Sequence, residues 1–114
     1  MTYTVELKAF GQQLATRELA SRIRTDILAR TAHANARTPI LFDMDGVQTL
    51  SSGFAHELFG GLLKFFGPDF PKLVSFRFGN NPNKDFLRMM INRGLAAVEP
   101  EDKSGPKSPA RSTG

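Results

Sequence analysis

The sequence predicts an α/β fold: a small, mainly parallel sheet in β-α-β-α-β-α order, with its helices mainly on one face. Three observations lead there. Three short segments alternate apolar and polar residues with period 2, as half-buried strands do. Helical patterns long enough to cross a sheet separate them, which favours parallel strands joined by right-handed connections. All three alternating segments also keep a polar face, whereas strands of doubly wound sheets are apolar on both sides.

The elements follow in order. From Tyr3 to Ala9 the apolar set is Tyr3, Val5, Leu7 and Ala9 and the polar set Thr4, Glu6 and Lys8, giving a strand that Gly11 ends. Thr16 caps a helix to about Arg30, with Leu19, Ala20, Ile23 and Ile27 on its apolar face. Residues 32–39 connect to a second strand, Ile40 to Asp45, which Gly46 breaks. Ser51 and Ser52 open a second helix, Phe54 to Phe66, stopped by Gly67-Pro68. Leu73 to Phe78 is the third strand. Asn80 to Asn83 form a turn into a third helix, from Lys84 to about Arg93, with Gly94 as its stop. Ile40, Phe42 and Met44, then Val74, Phe76 and Phe78, continue the apolar face of the first strand. Residues 1–98 form one domain. Residues 99–114 lack large apolar side chains and are expected to be a disordered tail.

Composition narrows the function classes. With 40% hydrophobic and 23% charged residues the 114-residue chain has an ordinary globular balance. The absence of cysteine excludes disulfides, thiolate metal sites and cysteine nucleophiles. The net charge of +4 is spread thinly, without the dense basic stripe of a specific nucleic-acid interface. No apolar run approaches the ~18 residues of a membrane span. Glu6 and Lys8 fall where the apolar stretch of a signal peptide would sit. A cytoplasmic protein without a membrane partner is the expectation. No His, Asp or Glu spacing suggests a metal site, and no cofactor is expected.

Two segments carry candidate chemistry. Phe42-Asp43-Met44-Asp45-Gly46-Val47 resembles the opening motif of haloacid-dehalogenase-type phosphatases. That resemblance implies Asp43 as phosphoryl acceptor and Asp45 as general acid/base, with magnesium neutralising the phosphate. The context opposes it. Between Gly46 and residue 98 the only acidic residues are Glu57, Asp69 and Asp85, and no two are close enough in sequence to form the family's metal-binding pair. The alternative for Asp43 and Asp45 is a place on the solvated face of the sheet, near Lys8 and Arg77.

The second segment, Val47 to Leu58, resembles the bacterial STAS-like family of unknown function. That family carries a strand, Asp-apolar-x-Gly-Val, a serine-rich turn, then Phe-Ala-x-Glu-Leu on a helix. Asp43, Gly46, Val47, Ser51, Ser52, Phe54, Ala55, Glu57 and Leu58 match, and the likeness extends over roughly residues 5–96. The wider STAS domains are anti-sigma factor antagonists. They bind serine kinases of the histidine-kinase-like ATPase fold and are switched by phosphorylation of a serine at the start of this helix. The resemblance thus implies a non-enzymatic regulatory module with such an ATPase as partner. Where the antagonists read Asp-Ser-Ser-Gly, ungapped counting from Val47 puts Ser51 on the aspartate and Ser52 on the phosphorylated serine. Sliding by one favours Ser51. Physics supplies both readings. A helix N-terminus stabilises an anion, and a serine there is equally an ordinary cap worth about 1 kcal/mol.

The second helix bears on partners as well. Its apolar residues fill an arc of about 180°, wider than the ~100° stripe that one sheet contact needs. The surplus edge is Phe59, Leu63 and Phe66, which either packs on a neighbouring helix or forms a docking patch or homodimer face. His56, Gly60, Lys64 and Glu57 make up the remaining strip. Gly60 and Gly61 lower helix propensity by ~1 kcal/mol each, which suggests close approach by another element. His56, Phe59, Gly60, Leu63 and Lys64 are therefore the candidate partner-binding residues. A third reading is a structural or oligomerisation module using the apolar edge.

Overall fold

Three four-residue strands, β1 (Tyr3–Glu6), β3 (Ile40–Asp43) and β5 (Val74–Arg77), form a parallel sheet in the order β1-β3-β5. The structure is a computed structural model, and it describes residues 2–32 and 38–98. The expected tail, 99–114, and most of the 32–39 connector lie outside the described residues. Tyr3 is in register with Ile40 and Ile40 with Val74; at the other end Glu6 matches Asp43 and Asp43 matches Arg77. Because the strands run across the sheet in sequence order, right-handed crossovers bring both connecting helices to the same face. That face is the apolar one: Val5, Ile40, Phe42 and Val74 are buried, while Thr4, Glu6, Ser75 and Arg77 on the other side are exposed.

All three strands end earlier than the alternation predicts, β5 by one residue, at Arg77 rather than Phe78. β1 stops at Glu6, and Leu7–Phe10 turn into a 3-10 helix. Its partner β3 ends at Asp43, so the residues after Glu6 have no ladder to join. Leu7 still reaches the core, but Ala9 is exposed. β3 ends because the Asp43 carboxylate accepts the Asp45 N–H at 3.0 Å and curls the chain. Two-residue strands that periodicity cannot reveal, β2 (Gln13–Leu14) and β4 (Thr49–Leu50), pair in parallel beside the main sheet.

Helix α1 (Arg17–Thr31) begins as expected, with the Thr16 hydroxyl accepting the Leu19 N–H. It buries Ala20, Ile23 and Ile27. The second long helix runs without a break from Ser52 to Phe66 but changes pitch: α2 (Ser52–Ala55), a π-helical segment (His56–Gly60) and α3 (Gly61–Phe66). Gly67, at φ 60°, ends it. A 3-10 turn and a one-turn helix, α4 (Phe70–Leu73), lead into β5.

Helix α5 (Lys84–Ala96) passes through Gly94, the expected stop. Gly94 is a packing residue instead. A Cβ there would lie 2.6 Å from the Ala55 carbonyl carbon, so its bare backbone lets α5 rest on α2. Between these helices and the sheet lies an aromatic cluster. Phe59 meets Phe42 and Phe76 edge-on at 5.0 and 5.2 Å, and those two stack at 5.6 Å. Such pairs add ~0.5–1.5 kcal/mol beyond burial.

Candidate functional site

The short β2–β4 ladder sets the start of the second long helix. Just beyond it, Ser51 N–H donates to Leu14 O at 2.9 Å. The Ser51 hydroxyl then accepts the Phe54 N–H at 3.0 Å and donates to Ala15 O at 3.0 Å. Ser51 is thus the helix cap, and its oxygen is committed in both roles. Ser52 is the first residue of α2; it is exposed, and its hydroxyl enters no hydrogen bond among the described residues. Arg17, at the start of α1, lies alongside: a Cβ on Gly53 would be 3.3 Å from Arg17 Nε. The free serine thus opens a 15-residue helical run at its positive end, and the Arg17 guanidinium lies over the next residue, Gly53.

One turn further on is the strip of His56, Glu57, Gly60 and Lys64. Arg17 Nη1 stands 3.3 Å from His56 Nδ1 and 3.6 Å from Glu57 Oε1. Arg24, half-buried, holds Glu57 Oε2 at 2.8 Å and also donates to the Glu57 backbone carbonyl within the π segment. The hydrogen bond from Arg24 holds the Glu57 carboxyl below its ordinary value of 4.5, against the opposing effect of burial. Apart from Arg17, which stands beside it, these residues line, with Leu28, Phe65, Ala97 and Val98, a groove of about 770 Å³ between α1, the second long helix and the end of α5. The close approaches implied by the glycine pair are real. A Cβ on Gly61 would meet Arg24 Cδ at 2.6 Å, and one on Gly60 would meet Val98 Cγ2 at 2.7 Å.

The candidates thus separate. His56, Gly60 and Lys64 share the groove. Phe59 does not belong with them: it is fully buried in the aromatic cluster, so the surplus apolar edge is used up inside the molecule there. Leu63 is half-buried against the core, and Phe66 is buried. The exposed aromatic on this helix is Phe65, 52% exposed.

Asp43 lies across the sheet from Phe42, by strand alternation. Its Oδ2 takes a 2.8 Å hydrogen bond from Arg77 Nη2, which is the main reason its carboxyl is held below the ordinary value. Asp45 is exposed nearby, beside Gly79. Among the described residues no group of three or more His, Cys, Asp or Glu side chains is arranged to hold a metal ion. The loop carrying the two aspartates is pinned from below by Asn81. This residue is 4% exposed, and its Nδ2 donates to Met44 O and Val47 O, both at 2.8 Å. Asn81, Arg17 and Arg24 carry much of the site's geometry, yet sequence reasoning gave them no role. The one available signal was Glu57 within the Phe-Ala-x-Glu-Leu motif, since a half-buried glutamate requires a cation.

Among the described residues no helix is long and apolar enough to cross a membrane. A family model described as a STAS-like domain of unknown function matches residues 20–84. No curated protein and no solved structure matches.

Proposed function

The chain belongs to the family of STAS-like domains of unknown function, and from that premise we propose that it is a non-enzymatic regulatory module that binds a protein partner. Its contact surface is the strip from Ser52 through His56 to Lys64, with Gly60 buried beneath Val98. Phosphorylation of Ser52 controls the contact, and the partner class is an ATPase of the histidine-kinase-like fold. The observation that carries this reading is the division of labour at the helix start. Ser51 is consumed as a cap, whereas Ser52 is exposed and unengaged, with Arg17 over the adjoining Gly53. A phosphate on Ser52 would bring about −1.5 to −2 charges to a helix N-terminus next to a guanidinium. It would draw Arg17 away from His56 and Glu57, changing the surface while leaving the fold intact.

The phosphatase alternative gains nothing from the geometry, because Arg77 engages the would-be nucleophile Asp43. Peptide mapping of the protein isolated from its own cells under phosphatase inhibition is the direct test. The expected result is phosphate on Ser52 and none on Ser51. Phosphate on Ser51, or no phosphate under any growth condition, would end this reading.

A further inference from the structure

The groove beside Lys64 is also where the described chain ends. α5 stops at Ala96, and Ala97 and Val98 complete the groove wall, with Val98 lying over Gly60. The next residues in the sequence, Glu99-Pro100-Glu101-Asp102, carry three carboxylates within four positions. The groove has the opposite charge. Arg24 and Lys64 line it and Arg17 stands beside it, whereas Glu57, its one lining carboxylate, is already held by both arginines. Lys64 is exposed and enters none of the ion pairs among the described residues.

We propose that Glu99–Asp102 docks back into this groove with its carboxylates on Lys64 and the arginines, so that the chain's own acidic segment covers the strip from His56 to Lys64. Four extended residues reach ~13–14 Å, enough to run along such a groove. A short tether gives the segment an effective concentration on the order of millimolar, so a weak contact suffices. Pro100 restricts Glu99 to extended conformations, which lowers the entropy lost on docking. With no large apolar side chain the contact is electrostatic, and salt weakens it. It also opens without disturbing the core, so an acidic partner segment would displace it. The inference rests on the groove and the adjoining sequence, not on Ser52 or on any partner.

The test uses the full chain and its variant Glu99→Gln/Glu101→Gln/Asp102→Asn. Acetylation of Lys64 by acetic anhydride is followed by mass spectrometry, with exposed Lys72 on α4 as the internal reference. A carboxylate docked on the ammonium occupies it and shields it from the reagent, so the variant should label at Lys64 about threefold faster relative to Lys72. The difference should vanish in ~1 M salt, and the backbone amide resonances of Gly60 and Gly61 should differ between the two proteins at low salt. Equal Lys64 rates with unmoved glycine resonances would overturn the proposal. So would a difference that fades on dilution, which would assign the contact to a second copy of the chain.

Discussion

At the level of single residues, adjacent serines with the same chemistry have different roles. Ser51→Ala removes the acceptor for Phe54 N–H and the donor to Ala15 O, so thermal melts should show a loss of about 1–2 kcal/mol. Ser52→Ala removes no hydrogen bond among the described residues and should stay within ~0.5 kcal/mol of the parent. Equal losses would show that Ser52 also caps. The motif placed a serine cap here; the choice between the two could not be read from sequence, because it depends on where Ala15 O and Phe54 N lie. Glu57 gives a pH prediction. Its folded carboxyl binds a proton less readily than the unfolded one, so the Arg24 pair stabilises the fold above its ordinary value of 4.5. That contribution is lost as pH falls through the lowered folded value. Glu57→Gln should therefore reduce stability by about 1 kcal/mol near neutrality, a value moderated by partial exposure. It should also flatten the acid limb of the stability curve. An unchanged acid limb would remove the pair from the account.

At the level of elements, the long helices were legible and the joints between them were not. Thr16 and Gly67 marked true helix ends because each acts locally, through a cap and a positive φ. Gly94 misled because a glycine can serve a neighbour as readily as a terminus, and only the tertiary structure shows Ala55 beneath it. Gly94→Ala should lower stability by about 1–3 kcal/mol through overpacking, despite the ~1 kcal/mol that alanine gains in helix propensity. A stabilised variant would mean that α5 does not rest on α2 as described. The π-helical segment has no signature in hydropathy either; it ends at Gly60, and within it the Glu57 carbonyl accepts a hydrogen bond from Arg24. Phe59 lies in that segment. Its burial between Phe42 and Phe76 predicts that Phe59→Ala loses about 3–5 kcal/mol in chemical denaturation. A loss of binding with stability retained would instead return Phe59 to the surface.

At the level of the whole molecule, a three-stranded parallel sheet has one face covered by helices and the other left to solvent and charge. The period-2 pattern made that asymmetry legible, because Thr4, Glu6, Asp43, Ser75 and Arg77 all fall on the side of the sheet opposite the buried apolar set. The groove was not legible, since it joins α1, the second long helix and the end of α5, elements far apart in sequence. His56 and Lys64 line it, Arg17 stands beside it, and the proposed contact strip runs on to Ser52, so the central claim is that charge at Ser52 governs binding without altering the fold. The most direct measurement is calorimetric titration of the partner captured by the parent protein against Ser52→Asp and Ser52→Ala, with melts run alongside. The account predicts that all three proteins melt within ~0.5–1 kcal/mol of one another. It also predicts that Ser52→Ala binds like the parent and that Ser52→Asp binds at least about tenfold more weakly, a difference of ~1.4 kcal/mol. Equal affinities for the Asp and Ala variants would contradict it and leave Ser52 an ordinary first residue of a helix.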